Sequence, residues 1–105
     1  MYDNIIHIQK WQQDTLPTED DLKQMLLDEG LEPYRWSNEA GDVYAAHIHN
    51  FHKVICVVAG SIMFGFPIDG EPIVLRAGDR LDLPAGVRHN AVVGPEGVVC
   101  LEAHR

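Results

Sequence analysis

The chain has 105 residues, which suits one domain and is too short for two. It carries 8 basic and 16 acidic residues, a formal net charge of −8 with neutral histidine, and this balance argues against nucleic acid and membrane surfaces as partners, since both require a basic patch. Apolar residues make up 46% of the chain, which excludes a disordered protein and allows a core without disulfides or a structural metal, so that any bound metal is expected to be functional.

The first predicted elements are a strand within residues 2–11 and a helix that begins after Thr18. Thr18 is suited to cap the helix N-terminus, and the acidic residues at 19–21 favour the positive end of the helix dipole. Gly30 is suited to end the helix, and Leu31 to fold back onto it as a capping hydrophobic residue. The residues of the predicted buried stripe are Leu22, Met25 and Leu26.

From Glu32 onward the sequence predicts β-structure. Short runs rich in β-branched and aromatic residues alternate with turn signals about ten residues apart, which favours an all-β sandwich or barrel and leaves no room for crossover helices. The apolar runs at 54–59 and 91–94 predict strands buried on both faces, by a second sheet, a neighbouring subunit or the helix. The predicted turns are at 38–41, 60–61, 67–72, 77–79, 84–86 and 94–97.

Neither a membrane helix nor a secretory signal is expected. No stretch approaches the ~20 apolar residues of a membrane helix, and the N-terminal residues lack the basic and apolar segments of a signal peptide. Cys56 and Cys100 lie in apolar strand-like runs and are interpreted as small, free core residues. Together these features predict a cytoplasmic protein.

Histidine is the most informative residue type, and the chain has six. His47 and His49 are two positions apart on a strand-like run, so both rings project from one face and their nitrogens could converge on one metal ion. His89 is a candidate third ligand because it follows the turn at 84–86 and begins another predicted strand.

These histidines belong to two spaced patterns that together cover residues 41–93. The patterns are Gly41-x5-His47-x-His49-x3-Lys53-x6-Gly60 and Gly78-x5-Pro84-x-Gly86-x2-His89-x3-Val93. Both resemble the two-part motif of the cupin superfamily, in which every glycine, the proline and the three histidines occupy the family's positions. Lys53 and Val93 depart from it, since they stand where the family has glutamate and asparagine.

The resemblance implies an all-β, jelly-roll (cupin) β-barrel with one short N-terminal helix. It describes residues 1–105 as a single cupin domain, with an N-terminal strand and helix at 1–31 and the β-barrel at 32–105. It also implies a homodimer, a small-molecule ligand, and a divalent transition metal (Fe, Zn, Ni, Mn or Cu) as cofactor. The implied metal ligands are His47, His49 and His89.

Lys53 is the most consequential departure, because an ammonium about 4 Å from a dication would be repelled by roughly 8 kcal/mol at an effective dielectric near 20. This leaves four alternatives for Lys53. The side chain turns away from the metal or pairs with an acid, the ammonium loses its proton, an anion lies between the ammonium and the metal, or no metal binds. A functional Lys53 would be an anion anchor or a general base, which makes it the candidate catalytic residue. Three-histidine cupins without the glutamate are a known variant among thiol and diketone dioxygenases.

Strand alternation predicts which side chains accompany the candidate ligands in a small apolar cavity. The predicted inward residues are Val43, Ala45, Ile55, Val57, Ala91 and Val93. Further candidates for the lining are Tyr34, Trp36, Met63, Phe64 and Phe66, and for holding a substrate carboxylate Arg35, Arg80 and Lys53. His52 is predicted to face away from the interior and to be exposed, with a substitute-ligand role as the alternative.

Three classes of function remain open at this point. The first is a metal-dependent enzyme acting on a small organic substrate, either an oxygenase using Fe(II) or an isomerase-like metalloenzyme. The second is a non-catalytic module that binds a metal or small ligand as a sensor or store. The third is a barrel that has lost its metal and has a structural or partner-binding role. The fold alone does not decide between them, because one fold hosts many chemistries.

Overall fold

The structure, a computed structural model that describes residues 5–68 and 70–105, has seven strands and one helix within these residues. The elements are β1 (His7–Gln9), α1 (Glu19–Asp28), β2 (Tyr34–Asn38), β3 (Val43–His47), β4 (Lys53–Phe66), β5 (Gly70–Arg76), β6 (Arg80–Leu83) and β7 (His89–His104). The predicted N-terminal strand is present only as His7–Gln9, and residues 2–4 of that prediction lie outside the described residues.

Two long strands, β4 and β7, organise the fold, because they pair antiparallel along most of their length. The half of the pair that contains Lys53 and His104 is the centre of one sheet. In this sheet β6 pairs with β4, β1 pairs with β6, and β2 pairs with β7. The opposite halves of β4 and β7 carry β5 and β3 at the edges of a second layer. The protein is therefore an all-β jelly-roll barrel with one short helix, as the sequence predicts.

Each long strand bends at a glycine with positive φ, at Gly60 in β4 and Gly97 in β7. The two bends touch, since a Cβ atom on Gly60 would lie 2.0 Å from the carbonyl oxygen of Gly97. The predicted turns at 60–61 and 94–97 are therefore wrong as chain reversals. The chain keeps its direction there, and residues 94–97 bulge out of register with β4.

The helix forms as its end signals predict. The Thr18 hydroxyl accepts a hydrogen bond from the backbone N–H of Asp21, and the N–H of Leu31 donates to Leu26 beyond Gly30, which has φ +80°. The predicted stripe is only partly right, because Leu22 and Leu26 are buried whereas Met25 is exposed. No helix among the described residues is long and apolar enough to cross a membrane.

Two apolar clusters explain why the central strands are apolar at both alternating positions. Ile55 and Val57 of β4 point into the barrel, where they meet residues of the other layer. Val54 and Cys56 point to the opposite side and pack under Leu22 and Leu26 of the helix together with Leu31, Leu101 and Ala103. Of the three alternatives for this second face, the helix is the one that covers it in the run at 54–59. For the run at 91–94 the prediction of burial on both faces is wrong, because Val92 is 38% exposed. Cys56 and Cys100 are free and buried, as predicted.

Candidate metal centre and cavity

Three imidazoles from separate parts of the chain lie together at one end of the barrel. His47 is the last residue of β3 and His89 the first of β7, and the two are directly opposite each other in the strand register. His49 lies in the loop that follows β3. Its carbonyl oxygen accepts a hydrogen bond from the backbone N–H of Gly86, which connects this loop to the turn before β7. One ring nitrogen from each histidine lies within 4.8 Å of the others, so the group could hold a metal ion.

Two of these rings are held in an orientation that suits ligation. Nδ1 of His47 lies 2.7 Å from the carbonyl oxygen of Ala45, and Nδ1 of His89 lies 3.0 Å from that of Val87. Because a carbonyl oxygen only accepts, each Nδ1 carries a hydrogen, and in this tautomer Nε2 is the nitrogen that presents a lone pair to a metal. Nε2 of His49 is buried and makes no hydrogen bond within the described residues. A buried nitrogen without a partner is expected where a ligand completes the site.

The surroundings of the cluster favour neutral imidazoles. Burial, with smaller contributions from the charge of Lys53 and from the other two rings, lowers the pKa of His49 to about 4. Burial also lowers the pKa of His89, against the opposing effect of its hydrogen bond to Val87. Both rings are therefore unprotonated near pH 7, which is the form that binds a metal.

The cluster opens into a cavity of about 320 Å³, at the small end of the range for ligand sites. The lining residues are Tyr34, Trp36, Tyr44, His47, His49, Lys53, Ile55, Ile62, Phe64, His89, Ala91 and Glu102. Of the candidates predicted to line it, Val57, Val93 and Phe66 lie instead in the buried core, and Met63 is exposed.

The predicted inward positions of Val43 and Ala45 are wrong, since both side chains are exposed. Between Tyr44 and His47 the β3 strand advances three residues while β7 advances two, so β3 contains a bulge. One extra residue inverts the alternation of side chains. Tyr44 therefore shares the cavity face with His47, and the strictly alternating pattern used for the prediction fails there.

Lys53 lies in the cavity wall, with its ammonium nitrogen 3.5 Å from Oε2 of Glu102. Both side chains are largely buried, 15% and 5% exposed. Of the alternatives for Lys53, pairing with an acid is the one that the structure contains, and the side chain nevertheless borders the cavity. Arg35 and Arg80 do not border it, since Arg35 pairs with Glu19 and Arg80 with Glu29 and Asp82.

Sequence reasoning missed three residues of the cavity wall, Tyr44, Ile62 and Glu102, and of these Glu102 is the one that carries a charge. Its Oε2 accepts from the hydroxyl of Tyr34 at 2.5 Å and lies 2.7 Å from Nε2 of His104, and its Oε1 accepts from the indole N–H of Trp36 at 3.1 Å. Burial raises the pKa of Glu102, but these hydrogen bonds and the charge of Lys53 outweigh it and the net shift is downward. Glu102 is therefore an ionised carboxylate whose oxygens are both occupied.

Strand alternation in β7 could have located this residue. Val98 and Cys100 point into the barrel, and Glu102 is the next residue on that face. His104 follows two positions later and packs against Tyr34 and Phe51 as well as bonding Glu102. No sequence motif marks either residue.

His52 does not match its prediction. The side chain is half-buried rather than exposed, and its Nε2 is buried and makes no hydrogen bond to the described part of the chain. It is not a member of the three-histidine group. Its position in the same loop, outside the group, makes it a natural control for His49.

The sequence matches no protein-family model and no curated protein. It does resemble solved structures. An RmlC-like cupin from Shewanella frigidimarina is 30% identical over 70% of this chain, with a TM-score of 0.61, and the match spans 64% of that protein. A putative mannose-6-phosphate isomerase from Ralstonia eutropha is also 30% identical, over 72% of this chain and 74% of that one, with a TM-score of 0.60.

A longer match supports the fold alone. A protein of the DUF861 family from Thermotoga maritima covers 96% of this chain and all of its own length, with a TM-score of 0.68 at 20% identity. The match thus includes both the helix and the barrel of this chain.

Proposed function

Because this chain belongs to the cupin superfamily, we propose that it is a metal-dependent enzyme acting on a small organic substrate, with His47, His49 and His89 as metal ligands. The observation that carries the proposal is the prepared donor set. Two rings have Nδ1 tied to a backbone carbonyl, and the third has a buried nitrogen without a partner. Three neutral imidazoles suit Zn, Fe, Cu or Ni and leave coordination positions open.

The cation at Lys53 is compatible with a metal because Glu102 offsets it. The carboxylate lies 3.5 Å from the ammonium, so the pair contributes no net charge to the cavity. The glutamate that the family motif has at position 53 is absent, but a carboxylate supplied by β7 borders the same cavity. The donors and the charges present therefore fit a divalent cation.

The chain's own residues supply the rest of the proposed site. A bound divalent cation would polarise the substrate and, in the case of iron, support reaction with oxygen. Trp36, Ile55 and Phe64 line the cavity and limit its water content, which strengthens electrostatic interactions inside it. Tyr34 keeps its proton and donates to Glu102, because burial and then that hydrogen bond raise its pKa.

We favour oxygenase-like chemistry among the metal-dependent reactions. Among the described residues that line the cavity, no carboxylate or amine is unpaired: Glu102 accepts three hydrogen bonds and Lys53 is its ion-pair partner. A reaction that depends on a free side-chain base is less well served by this lining than one that depends on the metal and a largely apolar cavity.

Proton transfer without oxygen is the second candidate, in keeping with the putative isomerase from Ralstonia eutropha. A specific observation favours it. The ring of His104 is 40% exposed and bonds Glu102, which in turn accepts from the hydroxyl of Tyr34 in the cavity wall. These three groups form a continuous path along which a proton could move between solvent and the cavity.

Metal content tests the first part of the proposal. Protein purified without an affinity tag and grown with ample metals is expected to contain about one transition metal per chain by elemental analysis. His49→Ala is expected to lose the metal and His52→Ala to retain it. Metal far below one per chain in the wild type, or equal content in the two variants, would contradict the proposed ligands.

Activity separates the candidates. Fe(II)-loaded protein is expected to consume oxygen with at least one member of a panel of short-chain organic acids, thiols and diketones, and His49→Ala and the Zn(II) form are not. Conversion of a panel member by the Zn(II) or Mn(II) form without oxygen would instead support proton transfer. Stoichiometric metal with no conversion in any form would favour a non-catalytic binding module.

We also propose that the protein is a homodimer that pairs through the outer face of its second layer. Val43 and Met63 each lie opposite Val92 in the strand register, so the three side chains form one apolar patch. They are 70%, 41% and 38% exposed. A self-complementary patch at a two-fold axis is the commonest arrangement in homodimers.

A further inference from the structure

The Lys53 side chain combines three features that distinguish it from a structural ion-pair residue. It borders the same cavity as the three histidines, it is only 15% exposed, and its ammonium makes one ion pair and no hydrogen bond within the described residues. An ammonium has three donor hydrogens. The single contact at 3.5 Å is long for a charge-assisted hydrogen bond, so Lys53 retains unused capacity to donate.

Glu102 does not compete for the same role. Its two oxygens already receive the hydroxyl of Tyr34, the indole of Trp36 and the ring of His104, which hold it rigidly in place. Glu102 therefore acts on Lys53 as a fixed counter-charge that keeps the ammonium at the cavity wall. A lysine whose counter-charge is fixed in this way presents its remaining donor hydrogens to the cavity, which suits an anion-binding group better than a base.

The balance of charge also favours an anionic ligand. Lys53 and Glu102 cancel, and an imidazole carries no negative charge, so a bound dication would leave the cavity with a net positive charge. The remaining lining is aromatic or aliphatic and suits a short carbon skeleton.

We propose that Lys53 is the anion anchor of this cavity, and that the ligand is a small organic acid whose carboxylate pairs with the ammonium while the rest of the molecule extends toward the three imidazoles. The placement toward the imidazoles rests on the proposed function. The pairing with Lys53 does not require a metal, and it is tested without one.

The test uses isobutyrate and isobutyramide, which have nearly the same shape and differ in charge. Binding to metal-free protein near pH 7 is followed by NMR at the indole N–H of Trp36, which donates to Glu102 beside Lys53. The indole N–H of Trp11, which donates to the carbonyl of Thr15, is the internal reference. The wild type is expected to bind the acid at least about tenfold more tightly than the amide.

Three variants assign that preference to the lysine. Lys53→Met is expected to lose it, and Lys53→Arg to keep most of it. Glu102→Gln is expected to bind the acid more tightly than the wild type, because the intramolecular counter-charge is removed while an acceptor oxygen remains for Tyr34 or Trp36. The amide NMR spectrum of each variant shows whether the variant is folded. If Lys53→Met is not folded, the affinities of Lys53→Arg and Glu102→Gln for the acid test the role of Lys53 instead.

The proposal would be overturned by equal affinity of the metal-free wild type for acid and amide, by a preserved preference in Lys53→Met, or by no response of Trp36 to either compound. A preference that appears only after zinc is added would also overturn it, because the metal and not Lys53 would then hold the carboxylate. The zinc stoichiometry of the same samples tests the metal site separately, so the two proposals can fail independently.

Discussion

His47 and His89 lie directly opposite each other across β3 and β7, with ring centroids 4.3 Å apart. The pair joins the end of one strand to the beginning of another that lies far along the chain. Because the two Nδ1 atoms are held by the carbonyls of Ala45 and Val87, the backbone sets the direction of both Nε2 lone pairs before any metal arrives.

Replacing one member of this pair should remove the metal. His89→Ala is expected to weaken zinc affinity by more than about 100-fold, since two remaining imidazoles form an incomplete site. Calorimetric titration of metal-free protein measures the change, and His52→Ala is the matched control. An affinity of His89→Ala within threefold of the wild type would contradict the role of this ring.

The Lys53–Glu102 pair should respond unequally to the loss of each partner. Glu102→Leu is expected to cost about 3–5 kcal/mol in the free energy of unfolding, because Lys53, Tyr34 and Trp36 all lose their partner. Lys53→Met is expected to cost about 1 kcal/mol or less, since Glu102 keeps its other donors. Denaturant unfolding of both variants checks this, and equal losses would contradict the asymmetry.

Asp79 should make stability depend on pH. Its carboxylate is buried and accepts from the backbone N–H groups of Trp11 and Arg76 and from the ammonium of Lys10. Burial raises the pKa of Asp79, but these donors outweigh it and the pKa lies below its usual value. The resulting stabilisation is fully present above the pKa of the unfolded chain and is lost as the pH falls toward the folded-state pKa.

The corresponding measurement compares Asp79→Asn with the wild type by urea unfolding at pH 7 and near pH 3. The variant is expected to be less stable by about 1–3 kcal/mol at pH 7, and the difference is expected to shrink as the pH falls. Asp14→Asn, at an exposed position, is the control and should behave as the wild type at both pH values. A difference that grows toward low pH would refute the assignment.

Gly60 should tolerate no side chain. Its φ is +77°, and a Cβ atom would lie 2.0 Å from the backbone oxygen of Gly97, so Gly60→Ala is expected to cost more than about 2 kcal/mol. Gly70→Ala is the control, because nothing lies within 4 Å of the added atom and its φ is not positive. Thermal unfolding measures both variants, and equal melting temperatures of Gly60→Ala and Gly70→Ala would contradict the expectation.

The proposed dimer should depend on the apolar patch. Val92→Glu is expected to give a monomer by light scattering coupled to size exclusion, because it places a charge between Val43 and Met63. Leu16→Glu, at a residue that is 80% exposed outside the patch, should leave the mass unchanged. A monomeric wild type, or a dimeric Val92→Glu, would exclude this face as the interface.

The sequence predicts the parts of the fold that local chemistry determines. Thr18 and Gly30 limit the helix correctly because caps act within a few residues. Gly60 has the positive φ expected of it but does not turn the chain, since whether such a glycine reverses a strand or bends it depends on what lies opposite, here Gly97. That contact is a property of the assembled barrel.

For the cavity, too, the sequence predicts some residues correctly and others not. The three histidines are found from spacing, and strand alternation correctly places Ile55 and Ala91. Alternation fails at Val43 because one bulge inverts every position before it, and a bulge leaves no local mark in this sequence. Glu102 was missed because its importance lies in its partners, which come from β2, β4 and β7.

Strand β7 begins with His89 and ends with His104, so a single continuous strand contributes both a candidate metal ligand and the groups that hold Lys53 in place. Because β7 lies between β2 and β4 in the sheet, a chain in which β7 is unpaired has neither the ring of His89 nor the carboxylate of Glu102 at the cavity. Pairing of this one strand therefore completes the candidate ligand set and supplies the counter-charge of Lys53 together.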